Sequence, residues 1–112
     1  RVDRKGSSIE ASRFQWGGAI PDEAKTNWDV IIGSDLTYNG QTWIQLAKTI
    51  VQLLDANPSA QFLYCSATHS QFSAELSGFR TVAEALGLRW KSEFPFDIPG
   101  SDSVATIAWI VR

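Results

Sequence analysis

The sequence has little of several things that usually mark a function class. Among 112 residues there is one cysteine, Cys65. No disulfide can form within the chain, which fits a reducing compartment. Cys65 follows the apolar run Phe62-Leu63-Tyr64, the setting of a buried structural thiol rather than of a nucleophile. One cysteine and one histidine, His69, do not make a zinc site. No apolar run reaches the roughly 18 to 20 residues of a membrane span, and the N-terminus lacks a signal-peptide pattern. The formal net charge is only −2. The small basic cluster Arg1, Arg4 and Lys5 reads as a solvated end, so neither nucleic acid nor membrane is an expected partner. Gly17-Gly18 falls short of a dinucleotide fingerprint, and no Gly-rich phosphate loop is present. There is no methionine, and an abrupt start at Arg1 is expected of a piece of a longer product. These absences place the chain in the cytoplasm, with the nucleus also open to it.

The residues that are present describe a globular domain. Hydrophobic residues make up 44% and charged residues 20%, an ordinary balance at a length that suits one domain. Five tryptophans should mostly pack, since each covers a large area. A short strand is expected over Ile9 to Phe14, ending at Trp16-Gly17-Gly18, with a loop through Pro21. Trp28 to Ile32 reads as a strand buried on both faces, because Val30-Ile31-Ile32 is β-branched and lacks polar alternation. Trp43, Leu46, Ala47, Ile50, Val51 and Leu54 keep helical spacing. Asn39-Gly40 is the turn before this helix, Thr42 its expected N-cap, and Asn57-Pro58 its end. Gln61 to Cys65 is a second buried strand, and Ser66 to Ser70 a polar loop. Phe79, Val82, Ala83 and Leu86 mark a second helix closed by Gly87, with its start obscured by Gly78. Leu88 to Phe94 is a strand, Pro95 to Ser103 a loop, and Val104 to Val111 the last strand. Strands alternating with helices imply an α/β fold with a mostly parallel sheet. The last two strands have no helix between them and should form an antiparallel hairpin.

In such sheets ligands bind beyond the carboxyl ends of the strands. Trp16-Gly17, Gly33 to Tyr38 and Ser66 to His69 all fall at that edge. Gly33 would let a ligand approach the backbone. Asp35 stands at the rim, where a carboxylate can orient an amine, and Tyr38 adds a hydroxyl and a ring face that attracts cations. Each residue also has a plainer reading. Taken singly, Asp35 is a turn or capping residue, Trp16 is core, and His69 is an ordinary loop residue rather than a base.

Taken together, the residues resemble a known family. The stretch Trp28-Asp-Val-Ile-Ile-Gly-Ser-Asp-Leu-Thr-Tyr38, an apolar strand followed by Asp-x-x-Tyr, resembles the methyltransferase-like protein-lysine methyltransferases. These are Rossmann-like seven-β-strand enzymes that use S-adenosylmethionine. The preceding Phe14-Gln-Trp-Gly17 is similar to the Trp-Gly that ends their third strand. The resemblance implies that Trp16 packs beside the adenine and that Ser34, next to Gly33, touches the cofactor through its backbone. It implies that Asp35 faces the acceptor amine and that Tyr38 lines the same pocket. The acceptor it implies is a protein lysine. The implied strand order is 3-2-1-4-5-7-6, of which residues 1–112 would supply the C-terminal part, strands 3 to 7. The first two strands and the Gly-rich cofactor loop would precede Arg1. An exposed edge is then expected at Trp28 to Ile32, together with poor cofactor binding by these residues alone. The competing readings are a non-catalytic α/β interaction module descended from a methyltransferase, and a small-molecule methyltransferase of the same fold. The sequence says nothing of oligomeric state.

Overall fold

A computed structural model describes residues 11–25, 27–34, 36, 40–68, 73–101 and 104–112, with residues 67–68 and 73–76 described by backbone alone. Asp35, Tyr38, Asn39, His69 and the basic cluster Arg1, Arg4 and Lys5 lie outside the described residues, as do Ile9 and Glu10.

The chain is a mixed α/β unit. Its elements are β1 (Val30–Ser34), α1 (Trp43–Ala56), β2 (Gln61–Thr68), α2 (Ser73–Ala85), β3 (Arg89–Asp97) and β4 (Val104–Val111), with 3-10 turns at Asp22–Lys25 and Gly40–Thr42. The four strands form one sheet in the order β1-β2-β4-β3, which is the 4-5-7-6 portion of the order implied by the resemblance. β1 pairs with β2 in parallel, and β4 is antiparallel to both β2 and β3. Of the expected mostly parallel sheet with a terminal antiparallel hairpin, the described residues show the mixed part: the hairpin is present, and one pairing of three is parallel. The hairpin end of the chain turns β4 back between β2 and β3, and this converts two of the three interfaces.

Element boundaries moved for identifiable reasons. Ala11 to Phe14 is not a strand. β1 begins at Val30 rather than Trp28 because Trp28 is tied into the preceding turn. Its indole Nε1 donates to the Glu23 carbonyl at 2.9 Å, and its backbone N–H donates to Asn57 Oδ1 at 3.0 Å. Thr42 precedes α1 as expected but makes no side-chain cap bond, because it already has near-helical dihedrals (φ −100, ψ −2). The 3-10 turn leads into the helix instead. α2 runs uninterrupted through Gly78, whose missing side chain leaves room for Trp43; a Cβ there would stand 2.5 Å from the indole. Gly87 ends α2 at φ +96. The Gly87 N–H donates to the Glu84 carbonyl and the Leu88 N–H to the Ala83 carbonyl, both at 3.1 Å, the paired bonds of a Schellman cap. β3 continues past Phe94 to Asp97. Pro95 was expected to break it, but β3 is an edge strand, where a residue without an N–H is tolerated.

Both helices pack on one face of the sheet. Leu46, Ala47, Ile50 and Leu54 of α1 meet Phe79 and Ala83 of α2, Phe62 and Tyr64 of β2, and Ala108 and Ile110 of β4. Trp16, Trp43 and Trp90 pack against this cluster. Trp28 is half exposed. β1 is the outermost strand among the described residues, and Ile32 on it is 73% exposed. The open apolar edge expected there is present.

Candidate functional site

The site residues come from two segments that precede α1. The first is the turn Gln15 to Gly18, closed by the Gly18 N–H donating to the Gln15 carbonyl at 2.9 Å. Gly17 stands at φ +83, the conformation that a type II turn requires at its third position. α1 holds this turn in place. The Gly17 N–H donates to Thr49 Oγ1 at 2.8 Å, and that hydroxyl donates in turn to the Gln45 carbonyl at 3.0 Å. A side chain at Gly17 would run into Gln45 Oε1. Trp16 is thereby fixed over the start of α1, half buried. Phe14, Gln15, Trp16, Thr42 and Gln45 line a cavity of about 390 Å³. That volume is within the range of small-molecule sites. An indole face with amide and hydroxyl groups beside it suits a flat heteroaromatic ring that also carries hydrogen-bonding edges.

The second segment is the carboxyl end of β1. Gly33 is buried, and a Cβ there would stand 2.8 Å from Phe62 Cζ and 3.0 Å from Leu36 Cδ1. Its lack of a side chain therefore serves close packing. Ser34, paired with Cys65, is exposed. The loop that follows is held from below by Tyr64, whose side chain is 1% exposed. The Leu36 N–H donates to Tyr64 Oη at 2.6 Å. Tyr64 thus anchors the chain at Leu36, and Asp35 and Tyr38 themselves lie outside the described residues.

Of the sequence-derived candidates, Trp16 lines the cavity, while Gly33 and Ser34 do not. Sequence reasoning missed Thr49, Gln45 and Tyr64. Thr49 carried a readable signal, a hydroxyl on the apolar stripe of α1 between Leu46 and Ile50, and it is 3% exposed. Tyr64 looked like one more apolar residue of a buried strand, and only the fold shows its hydroxyl meeting the loop. Asn57, expected merely to end α1, is fully buried. It accepts from the Trp28 N–H and donates through Nδ2 to the carbonyls of Ala24 and Leu53. That set of bonds fixes the entry to β1, and so the height at which the Gly33-Ser34 end arrives. Among the described residues no group of acidic, histidine or cysteine side chains could hold a metal.

Comparison with known proteins adds two findings. The sequence profile of a family described as lysine methyltransferase matches residues 2–84. A UPF0665 family protein of Schizosaccharomyces pombe is 29% identical over 58 residues, which is 52% of this chain and 18% of that protein. The match spans less than a fifth of the curated relative's length.

Proposed function

Because the chain belongs to the lysine methyltransferase family, we propose that it is the C-terminal part of a seven-β-strand domain that transfers a methyl group from S-adenosylmethionine to a protein lysine. The observation that carries this reading is the family match, which begins before Trp16 and runs through α1 and most of α2. The strand order β1-β2-β4-β3 supports it, since an insertion of the last strand between two earlier ones is what the resemblance implies.

The residues present fit one end of the cofactor. Trp16 offers a face for the adenine, and the cavity beside it has amide and hydroxyl edges. Ser34 stands at the carboxyl end of β1, where a backbone contact to the cofactor belongs in this reading. The remaining contacts, the Gly-rich loop and an acid for the ribose, belong to strands that would precede Arg1. When bound, the cofactor supplies an activated methyl group. The work of the protein is then alignment of the acceptor, which is the larger part of catalysis in a direct displacement. In this proposal Asp35 orients the lysine amine and balances the charge it gains, and Tyr38 lines the approach. Tyr64 positions that segment through the Leu36 amide.

The test is transfer of labelled methyl groups to lysine-containing proteins by a chain extended through the upstream reading frame. Asp35→Ala and Tyr38→Ala in that chain should each lower kcat by about 100-fold or more, as expected of groups that align or polarise the reacting atoms. Cofactor affinity should change little. Full activity in both variants would remove these residues from the mechanism. Binding of S-adenosylmethionine without any transfer would favour the non-catalytic interaction module.

A further inference from the structure

The cavity at Trp16 has two walls from separate parts of the chain. Phe14, Gln15 and Trp16 form one, and Thr42 and Gln45, at the start of α1, form the other. Its width depends on what holds the turn Gln15 to Gly18 against the helix. Trp16 rests against the core, but no residue from Phe14 to Ala19 is fully buried. Among the described residues one hydrogen bond joins this turn to α1, from the Gly17 N–H to Thr49 Oγ1 at 2.8 Å.

Thr49 stands on an otherwise apolar stripe. The other buried residues of α1 are Leu46, Ala47, Ile50 and Leu54, and Thr49 among them is 3% exposed. Helix propensity hardly separates threonine from valine, and a buried hydroxyl costs stability unless it is hydrogen-bonded. The hydroxyl is therefore explained by its bonds. The Gly17 N–H can only donate, so Oγ1 accepts from it and gives its own hydrogen to the Gln45 carbonyl at 3.0 Å. The helix thus fixes the hydroxyl rotor and presents a lone pair to the turn. The Gly17 N–H belongs to the central peptide of the turn, which the bond from Gly18 to Gln15 leaves unsatisfied. That peptide contains the Trp16 carbonyl, so anchoring it also sets the direction in which the indole leaves the backbone.

We propose that Thr49 is a positioning residue for the cofactor: its hydroxyl sets the width of the cavity and the pose of Trp16, and through them the affinity for the adenine end of S-adenosylmethionine. The inference rests on the methyl-transfer reading and adds a residue to it. Thr49 does not itself line the cavity; it acts through Gly17. Its effect belongs to binding and not to the transfer step, so it falls on KM for the cofactor and leaves kcat at saturation nearly as it was.

The test uses the chain extended through the upstream reading frame, with Thr49→Val and Thr49→Ser. Valine keeps the shape and removes both bonds, whereas serine keeps both bonds. Far-UV circular dichroism checks the fold, with Thr49→Ala as the substitute if valine disturbs it. Thr49→Val should raise Kd and KM for S-adenosylmethionine about tenfold, as expected when one hydrogen bond is lost and its partner is left unsatisfied. Its kcat at saturating cofactor should stay within about twofold of wild type, and Thr49→Ser should keep the wild-type KM to within about threefold. Hydrogen exchange of the Gly17 amide in the cofactor-free protein should be faster in Thr49→Val and unchanged in Thr49→Ser, a readout that needs no ligand. Equal cofactor affinity in wild type and Thr49→Val overturns the proposal and leaves the methyl-transfer reading in place. So does a loss that Thr49→Ser shares, because packing and not the hydroxyl is then responsible, and so does a fall in kcat at unchanged KM. A wild-type extended chain that binds no S-adenosylmethionine overturns both the reading and the proposal, and faster exchange at Gly17 in Thr49→Val then limits Thr49 to holding the turn.

Discussion

Three residues decide local geometry out of proportion to their number. Asn57 is fully buried and serves three backbone groups, two in the segment that leads into β1 and one on α1. Replacing it with alanine leaves those groups without partners, so Asn57→Ala should cost roughly 2–4 kcal/mol in chemical denaturation. Loss of only a few tenths would mean that water takes over its bonds. Gly78 presents the opposite case. A Gly→Ala change inside a helix ordinarily gains about 1 kcal/mol. Here the added methyl meets the Trp43 ring at 2.5 Å, and overpacking costs roughly 1–3 kcal/mol. Gly78→Ala should therefore lower the urea midpoint, not raise it. Tyr64→Phe keeps the ring in the core and removes only the acceptor for the Leu36 amide. It should cost about 1 kcal/mol and speed hydrogen exchange at Leu36 more than elsewhere. None of these roles could be read from the sequence, where Asn57 looked like a helix stop, Gly78 like a helix breaker and Tyr64 like strand filler. Each depends on a partner 28 to 35 residues away in the chain.

The contrast between the two edge strands is informative at the scale of elements. β3 has Arg89, Lys91, Glu93 and Asp97 along it, Pro95 within it and a register shift beside Lys91. Charges, proline and bulges are the devices by which natural edges resist pairing. β1 is Val-Ile-Ile-Gly-Ser and has none of them, which is the composition of an interior strand placed at an edge. Amides of β1 that point away from β2 should exchange within the fast, locally open range, while β2, paired on both sides, should be the slowest strand. Equal protection of β1 and β2 would show that another strand covers the edge. Most elements were legible in the sequence because hydrophobic spacing encodes them directly. The stripe of α1 and the β-branched core of β4 gave their extents to within a few residues. What failed needed tertiary context. The residues from Ala11 to Phe14 have no strand to pair with among the described residues. Pro95 reads as a breaker unless it is known to stand on an edge. The antiparallel hairpin was legible in the missing helix between the last two strands, but the insertion of β4 between β2 and β3 followed from the family's strand order and not from periodicity.

At the scale of the whole molecule, the described residues form a sheet with helices on one side, one protected edge and one open edge. The candidate site is divided in the same way: Trp16 lines a cavity on α1, and Gly33 and Ser34 end the open strand. A sheet continued beyond β1 would cover that strand and set new backbone at its carboxyl end, the position at which open α/β sheets bind ligands. The central claim is that cofactor binding belongs to that larger sheet, and calorimetric titration with S-adenosylmethionine tests it most directly. The 112-residue chain should show no saturable heat, and the chain extended through the upstream reading frame should bind at one site with an affinity that Trp16→Ala weakens by about 1–3 kcal/mol, the range for losing a buried aromatic contact. Tight, stoichiometric binding by the 112 residues alone would contradict the account, as would an extended chain that binds equally well without Trp16.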